Sequence, residues 1–519
     1  MKSNHLKILL CLLWLFMIVL PLLRMLSTMA GLNVFEIMTA RKFSRAFWQS
    51  LNVSSVATFI SVSVAGVLSW AVARTNVKHK QLISTLIIVP MLIPSISHGM
   101  GLIIIFGANG VVSKIFGLTG GIYGFWGIVF GSVMYSFPVA YLMLYDILRY
   151  EDGTPYEAAE VIGLGAIDRF FAITLPYLRK PLISVIFATF TMIITDYGVP
   201  LMIGGKYITL PVMMYQDVIG MLDFGKGSAI GVVLLIPAAV ACVLDMVSRD
   251  SNRLSFVGKP HAIKDNHARD LVAKVIIFAV IVAIFVPIVA FSVIAFIKKY
   301  PVNMAMSFAH AARAFEIGAL KYLANSLIIA VAVSLLGTAL ALFNAYMTAR
   351  AKTKLSYFLH LMSIVSLAVP GIVLGLSYVM FFKGSMIYGG LVILLVVNIT
   401  HFFASPYLMA YNTFSKLNEN LESVGLIMGI SRLSVVRDVI LPQSKQTIVK
   451  MMSYFFINSM MTISAVSFLS NTFNKPLSLM IPQFEGQMQI ECAAFVSLVI
   501  LGANVMMKIL EDFSLKLTR

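Results

Sequence analysis

The residues of this chain whose types and spacing could do chemistry lie in a polar stretch at positions 154–176. Thr154 can cap a helix that starts with a proline, and Glu157 stands three residues later, which is the capping-box spacing. Gly163 then interrupts the helix, and a second short amphipathic turn is predicted to end at Pro176. A helix–glycine–helix of this kind, lying between apolar segments, offers an apolar face to a partner that is not lipid.

The same spacing occurs a second time in the chain. From Gly163 an isoleucine, a leucine and a proline follow at +10, +12 and +13, and from Gly429 the same offsets give Val439, Leu441 and Pro442. In this copy Asn420 holds the cap position and a glycine lies within the helix. Loss of the capping pair and a helical glycine cost about 1 kcal/mol each, so we expect the second copy to be less rigid.

No spacing in the sequence is typical of catalysis or of metal binding. A phosphate-cradling G-x-x-x-x-G-K-[ST] sequence is absent, because segments 204–206 and 225–228 hold Gly and Lys at the wrong distances. Histidines, cysteines and carboxylates show no metal-ligand spacing, and the three cysteines show no paired spacing. We therefore expect no enzyme activity, metal or cofactor in this chain, and any use of ATP requires a separate ATPase subunit.

A second set of candidate residues is polar and lies within apolar segments, where burial is costly and function is a natural hypothesis. Asp196 and Tyr197 lie in the outer half of one segment, and Thr462 and Ser464 hold the matching place in another. These residues could line a translocation path. The alternative for Asp196 is that it caps or hydrogen-bonds a broken helix, and both interpretations stay open. His98 and His401 are better explained as polar residues facing other helices than as ligands.

Composition places these candidates in a membrane protein. Hydrophobic residues make up 59% of the 519 residues, charged residues 12%, and the mean hydropathy is +0.92. A soluble domain of this length could not bury so much apolar surface. The net charge of +17 is explained by Lys and Arg retained on cytoplasmic loops, and it does not indicate nucleic-acid binding.

Twelve apolar stretches are long enough to cross a bilayer, which takes roughly 20 residues in a helix. The fold class is therefore all-α, a polytopic membrane protein with about twelve transmembrane helices. The predicted spans are 8–26, 53–73, 83–106, 122–146, 181–205, 228–248, 271–296, 323–346, 358–382, 386–411, 450–470 and 491–511. The first stretch also resembles a signal peptide, but an uncleaved span fits the topology better. Proline-containing segments are expected to be kinked or broken.

Basic residues in short loops predict the orientation. With the N-terminus inside, the groups after spans two and eight face the cytoplasm, as do both glycine loops and both termini; these groups are Arg74, Lys78, Lys80, Arg350, Lys352 and Lys354. The polar stretch 249–270 is basic as well and is predicted to be a cytoplasmic linker. The outer loops also carry basic residues, among them Arg41, Lys42 and Arg45, so the rule is obeyed imperfectly.

The chain is a parallel repeat. Ser50-Leu51, Ala73-Arg74, Pro94 and Gly99 recur at one constant offset as Ser326-Leu327, Ala349-Arg350, Pro370 and Gly375. Matches in the same order indicate duplication, with a pseudo-two-fold axis along the membrane normal. The predicted organisation is a first six-span half at 1–248, a linker at 249–270 and a second six-span half at 271–519.

Glu157-Ala158-Ala159, Gly163 and Ile173-x-Leu175-Pro176 resemble the "EAA" signature of the permeases of binding-protein-dependent ABC importers. The resemblance implies a type I importer fold, in which each loop docks in a groove of an ATPase subunit. The second copy departs from the signature, since Ser423-Val424-Gly425 replace Glu-Ala-Ala and Glu422 stands one place early. The ATPase-coupling residues implied are Glu157, Ala158, Ala159, Gly163, Pro176, Glu422, Gly429 and Pro442. The implied partners are two copies of an ATPase subunit, which binds the ATP, an extracytoplasmic solute-binding protein and the lipid of a bacterial cytoplasmic membrane.

The segment from Asp196 to Pro200 with Gly204-Gly205 resembles fused permeases for ferric iron and for 2-aminoethylphosphonate. Segments 370–376 and 458–466 look closer to the second branch, so 2-aminoethylphosphonate is the favoured substrate. Ferric iron is the alternative, with thiamine or a polyamine behind it. A different class, an ion-gradient-driven transporter, would predict several intramembrane carboxylates and no such loops. A membrane scaffold would have no use for two of them.

Overall fold

A computed structural model describes residues 2–117, 120–250, 263, 265–350 and 353–517, and it is a bundle of helices with one short β-hairpin. Most of the predicted linker and Lys352 lie outside the described residues. The helices of the first half are α1 Lys2–Trp14, α2 Leu20–Ser27, α3 Val34–Thr39, α4 Arg41–Ala73, α5 Lys80–Ile88, α6 Ser95–Phe106, α7 Val111–Phe116, α8 Phe125–Arg149, α9 Thr154–Val161, α10 Ala166–Arg169, α11 Leu175–Ile194, α12 Gly198–Ile203, α13 Leu210–Tyr215 and α14 Phe224–Asp250.

The second half repeats this order after α15. Its helices are α15 His267–Ile294, α16 Ala309–Glu316, α17 Ala319–Ala349, α18 Lys354–Ile364, α19 Gly371–Phe382, α20 Leu391–Phe402, α21 Ala404–Lys416, α22 Leu421–Ile427, α23 Arg432–Val435, α24 Leu441–Gln443, α25 Lys445–Met461, α26 Met480–Gly486 and α27 Ile490–Leu517. The hairpin pairs β1 Ile297–Lys299 with β2 Asn303–Met306 in antiparallel fashion. Short π-helical turns at Leu15–Val19, Phe170–Thr174, Gln216–Gly220 and Val436–Ile440, and 3₁₀ turns at Val89–Leu92, Val365–Ala368 and Leu477–Leu479, connect several of them.

The long helices agree with an all-α membrane protein. Within the described ranges, nine helices are long and apolar enough to cross a membrane, and two bent helix pairs raise the number to eleven. One bent pair joins α18 to α19 at an angle of 106°, and the bend falls at Pro370, as the sequence predicts. Helix α25, with 17 residues or about 26 Å, occupies the place of the remaining predicted span.

Two predicted spans are too long at their C-terminal ends. The prediction at 181–205 continues past Ile194, where α11 stops, and the prediction at 450–470 continues past Met461, where α25 stops. In both places the chain turns into a non-helical segment and then into short helices, α12 and α13 in the first half and α26 in the second. Apolar composition alone does not reveal such a break, because the segments after it are as hydrophobic as the helices before it.

The two halves exchange their first helices. Helices α1 and α2 pack on α18 and α19 of the second half, and the Trp14 ring lies 4.1 Å from that of Phe403, between α20 and α21. At the start of α18, buried Lys7 donates hydrogen bonds to Thr353 and Ser356. Conversely, α15 of the second half packs on α4, α5 and α6 of the first, where Gly101 leaves room for the Pro287 backbone. Each half is therefore completed by the other.

Candidate functional site

The loop that contains Gly163, residues 151–176, begins with a helix whose start differs from the prediction. Gly153 is the residue before α9, and Thr154 is already its first helical residue. The Thr154 hydroxyl donates to Asp152 at 2.8 Å, as does its backbone N–H at 3.0 Å. The predicted capping box is therefore wrong, because Asp152 engages the threonine from the N-terminal side. Glu157 and Ala158 lie exposed on the first turns, and Ala159 is buried.

Gly163 ends this helix as predicted, and Gly429 ends α22 in the same way. Both glycines have left-handed backbones, with φ of +83° and +73°. In the first loop Leu164 N–H bonds to Ala159 O at 3.0 Å, and in the second Ile430 N–H bonds to Gly425 O at 2.8 Å. These are Schellman bonds, which satisfy the last carbonyls of the helix. No atom lies within 4 Å of a Cβ added at either glycine, so the requirement is backbone conformation and not space.

The segment after each glycine does not end at its proline, contrary to the prediction for Pro176. In the first loop the chain is helical from Ala166 to Ile194, and a π-helical turn at Phe170–Thr174 precedes Pro176. The second loop has the same turn at Val436–Ile440 before Pro442. A proline has no N–H to donate and its ring crowds the carbonyl four residues back, and the wider π turn accommodates both effects.

The glycine within α22 has a packing function. A Cβ added at Gly425 would lie 2.6 Å from Cγ2 of Val435, which is buried beneath the helix. When the loops are aligned on Gly163 and Gly429, the matching residues of the first loop are Ala159 and Arg169, so there the small side chain meets no valine. The second loop thus exchanges an alanine for a glycine to admit Val435. Whether it is less rigid stays a prediction.

Both loops expose a matched set of apolar side chains around the glycine. Val161 and Ile427 are 89% and 87% exposed, and each stands two places before the glycine of its loop. The same alignment relates the other exposed apolar residues of the set, which are Ile162 and Met428, Leu164 and Ile430, and Ile167 and Leu433. A contiguous exposed apolar patch outside the spans marks an interaction surface. The sequence analysis missed these residues, although aligning the loops on their glycines would have found them.

An arginine at the end of a long helix holds each loop, and the sequence identified both arginines as markers of topology and of the repeat but not as loop contacts. In the first half Arg74, which follows α4, forms a buried ion pair with Glu151. Tyr156 of α9 donates to the same carboxylate at 2.8 Å, and its ring lies 5.1 Å from the Arg74 guanidinium. Burial raises the pKa of Tyr156 to about 12, so this hydroxyl remains a donor. The first loop is thus held through a tyrosine.

In the second half the arginine pairs directly with a residue of the loop helix. Arg350, the repeat equivalent of Arg74, donates to both carboxylate oxygens of Glu422, which stands on α22 where Tyr156 stands on α9. The same guanidinium donates to the carbonyls of Leu417 at 2.9 Å and Asn418 at 2.7 Å. The departure of Glu422 from the signature position is therefore explained by its partner, because one place later the side chain would leave this face of the helix.

We call the Arg74–Glu151 and Arg350–Glu422 contacts the arginine clamps. Their two carboxylates differ in acidity. Burial raises the pKa of Glu151 above its ordinary value, although Arg74 and Tyr156 oppose this. Burial also acts on Glu422, but there the hydrogen bonds and charge of Arg350 outweigh it and hold the pKa below the ordinary value. The direct ion pair of the second loop is therefore the more strongly ionised.

Among the candidate path residues, Asp196 is hydrogen-bonded to the starts of two helices. Its carboxylate accepts the backbone N–H groups of Gly198 at 3.3 Å and Val199 at 3.0 Å, at the start of α12. It also accepts the Ser95 hydroxyl at 2.7 Å, at the start of α6. These contacts are those of a cap on a broken helix, which was the alternative interpretation of this residue.

The other path candidates meet where the halves touch. The Tyr197 hydroxyl lies 2.6 Å from the hydroxyl of Ser467, and the Tyr197 ring stacks on Tyr215 at 5.1 Å. Thr462 and Ser464 belong to the same non-helical segment as Ser467. Thr462 is buried and its carbonyl accepts the Ser478 hydroxyl, and Ser464 packs against Gly371. The structure therefore brings Tyr197 to the segment of Thr462 and Ser464, and it ties Asp196 to the helix ends.

Histidines give no sign of a metal centre in the part of the chain that the structure describes. His98 is buried, and its Nε2 lies 3.1 Å from the carbonyl oxygen of Pro90. His401 packs beside Gly371. Across the described ranges, no three His, Cys, Asp or Glu side chains are grouped as metal ligands.

Comparison with known protein families matches the chain twice. The family described as "Binding-protein-dependent transport system inner membrane component" matches residues 63–249 and again residues 337–516. The two matches include the Gly163 loop and the Gly429 loop and together cover more than half of the chain.

Individual relatives differ in substrate. A permease protein of Haemophilus influenzae assigned to a ferric transport system is 24% identical over 469 residues, covering 85% of this chain and 73% of that protein. The ferric transport system permease protein of Actinobacillus pleuropneumoniae is 23% identical and covers 85% and 67%. The molybdenum transport system permease protein of Azotobacter vinelandii is 28% identical over 176 residues, which are 33% of this chain and 78% of that protein.

Proposed function

Since the chain belongs to the family of binding-protein-dependent transport system inner membrane components, we propose that its two loops dock two copies of one ATPase subunit. The chain is the permease subunit of an ABC importer with both halves fused. In this proposal ATP binding closes the ATPase subunits, and the loops transmit the closure to the spans. Solute arrives from an extracytoplasmic binding protein at the opposite end of the bundle.

The observation that carries the docking proposal is the matched apolar surface of the two loops. Val161 and Ile162 are apolar and largely exposed, as are Ile427 and Met428, and each pair immediately precedes the glycine of the same Schellman turn. The charged residues around them are not matched, since Glu160 is replaced by Leu426. Two identical ATPase grooves would therefore recognise what the loops share, which is the apolar set.

The docking proposal is tested by polar substitutions on the apolar set. Ile162→Ser and Met428→Ser, alone and together, should weaken co-purification of the ATPase subunit, with the double variant losing most. Met386→Ser is the matched control, because Met386 is exposed as well but lies at the other end of the bundle. Undiminished co-purification of the double variant, or solute uptake driven by an ion gradient without the ATPase, would exclude the proposal.

We place the loops and both termini in the cytoplasm, where the ATPase finds ATP, in a bacterial inner membrane. A cysteine at Lys78, near the loops, should then react with an impermeant reagent only from the cytoplasmic side. A cysteine at Ala40, before α4, should react only from outside. The test uses a chain whose three native cysteines are serine, and the opposite labelling pattern would reverse the assignment.

The substrate proposal has two candidates. Ferric iron is supported by two relatives that cover most of the chain, and 2-aminoethylphosphonate by the resemblance around Asp196 and Pro370. Proteoliposomes that contain the permease, its ATPase and its binding protein would distinguish them. Uptake of radioactive iron without uptake of labelled 2-aminoethylphosphonate selects the first candidate, and the reverse selects the second.

A further inference from the structure

We propose that a cationic cavity in the first half, at the end of the bundle opposite the two loops, binds a phosphate-type oxyanion. The cavity has a volume of about 420 Å³, which is within the range of small-molecule sites. Four of its lining side chains are cationic, and the full set is Arg41, Lys42, Arg45, Ala46, Gln49, Lys206 and Ile208. Only the statement that this end is the outer one depends on the proposed function.

The cavity is built by two segments held together. Arg41 and Arg45 stand one turn apart at the start of α4, so both guanidinium groups lie on one face of that helix. Lys206 comes from the connection between α12 and α13. This connection is fixed on α4 by a hydrogen bond from the Leu210 N–H to Ser50 Oγ at 2.7 Å, and Tyr207 Oη reaches Gln49 O at 3.4 Å. The four cations therefore converge without needing a ligand to gather them.

Most of this positive charge has no counterion within the protein. Lys42 lies 3.6 Å from Asp217, but Arg41, Arg45 and Lys206 form no ion pair with any residue that the structure describes. The first turn of α4 carries no acidic residue, and cations there oppose the positive end of the helix dipole. A bound anion would supply the missing counterion and offset the unfavourable interaction with the helix dipole.

At the equivalent place in the second half, the cationic side chains have partners within the protein. Lys321, the repeat equivalent of Arg45, has its ammonium 5.4 Å from the centre of the Phe473 ring. Lys475 lies 5.8 Å above the Tyr322 ring and also donates to Gln483. Cation–π contacts and a hydrogen bond to an amide thus stabilise the cations of the second half. Among the described residues of the first half, Arg41, Arg45 and Lys206 have no such aromatic partner, and a cavity lies between them.

The geometry of the two arginines and the level of the cavity in the membrane indicate which kind of anion would bind. Two guanidinium forks match the oxygens of a phosphate or phosphonate group better than isolated lysines would. Exposed Trp48 lies on α4 near its start, and exposed Trp126 lies at the start of α8; tryptophans mark the level of the lipid headgroups. The group could therefore come from a soluble phosphate or phosphonate, or from an anionic lipid. Both present the same oxygens.

Two arms of one experiment separate these sources. The full chain is placed in nanodiscs of neutral phosphatidylcholine and titrated with inorganic phosphate by isothermal calorimetry. In the second arm the discs contain phosphatidylglycerol, and lipid retained by the released protein is identified by native mass spectrometry. Phosphate binding in the first arm indicates a soluble ligand, and retained phosphatidylglycerol without phosphate binding indicates a lipid. Binding in neither arm overturns the proposal.

Substitutions place the binding at this cavity. Arg41→Gln with Arg45→Gln should weaken binding at least tenfold, because each removes a charge-assisted contact. Lys321→Gln is the matched control at the equivalent position of the second half, and it should bind as the wild type does. Equal binding by the double variant refutes the site. If that variant does not fold, Lys206→Gln on the other segment of the cavity takes its place, and binding as strong as that of the wild type refutes the site. None of these measurements requires the ATPase.

Discussion

Replacing Arg350 by glutamine tests whether the arginine clamps hold the loops. The wild-type guanidinium donates to both oxygens of Glu422 and to the carbonyls of Leu417 and Asn418, and the arginine side chain is only 4% exposed. Glutamine is too short to reach these four acceptors together and carries no charge. The carboxylate of Glu422 would then be left half-buried without its counterion.

The size of the effect follows from this burial. Removing one partner of a buried ion pair costs about 3–5 kcal/mol, because the remaining charge stays desolvated. At about 1.4 kcal/mol for each factor of ten, α22 should open roughly 140-fold to 4,000-fold more often. The opening is local, since the lost contacts join α22 to the end of α17 and to the segment just before α22.

Hydrogen exchange read by mass spectrometry measures this opening directly, as faster exchange of the amides of α22. The control is Arg437→Gln on the same loop, since Arg437 pairs with Asp438 but is 75% exposed. An exposed pair contributes at most about 1 kcal/mol, or roughly fivefold in exchange. In proteoliposomes, Arg350→Gln should also raise the number of ATP molecules hydrolysed per solute imported.

Equal exchange in the Arg350→Gln and Arg437→Gln variants would refute the reasoning. A double-mutant cycle sharpens the result, because the Arg350→Gln and Glu422→Gln variant leaves no unpaired charge and should be less destabilised than the sum of the single variants. Faster exchange with an unchanged ratio of ATP to solute would show that the clamp stabilises the loop without serving transport.

Three other outcomes are expected. Glu157→Ala should reduce uptake more than Ser423→Ala at equal membrane levels, because only Glu157 offers an exposed first-turn charge, and equal losses would make the two loops equivalent. Gly425→Ala should cost about 1–3 kcal/mol by crowding Val435, and adding Val435→Ala should restore thermal stability, which a purely helical effect would not do. The depressed pKa of Glu422 means that its stabilising effect is complete above the ordinary carboxyl pKa of about 4.3, so protection of α22 should persist to pH 5 and fall only in stronger acid; loss already near pH 6 would contradict this.

The two loops were predictable from sequence because their geometry is local. A glycine at a helix end requires a left-handed backbone, and a Schellman turn spans only six residues, so Gly163 and Gly429 carry the signal themselves. The capping box was local too, but it was wrong because Asp152, just outside the pattern, competes for the Thr154 hydroxyl. Pro176 was taken as a stop, since a π turn has no sequence signature that distinguishes it from a helix end.

The clamps were not predictable because they join distant residues. Arg74 and Glu151 are 77 positions apart, and Arg350 and Glu422 are 72 apart. Which carboxylate meets an arginine depends on how α4 and α17 pack, and side-chain pairing at that range leaves no periodicity. The role of Asp196 was undecided for the same reason, because its partner Ser95 lies on another helix.

The exchanged first helices impose an order on biosynthesis. Lys7 reaches the membrane early, but its partner Thr353 is 346 residues further along the chain. At about 5–20 residues per second, translation takes roughly 17–70 seconds to deliver that partner. During this interval α1 and α2 lie in the bilayer without the second-half helices on which they pack, and Lys7 stays solvated at the membrane surface. A ribosome that stalls before α18 would therefore leave a nascent chain whose first helices have no partner, which is a feature that quality-control proteases could recognise.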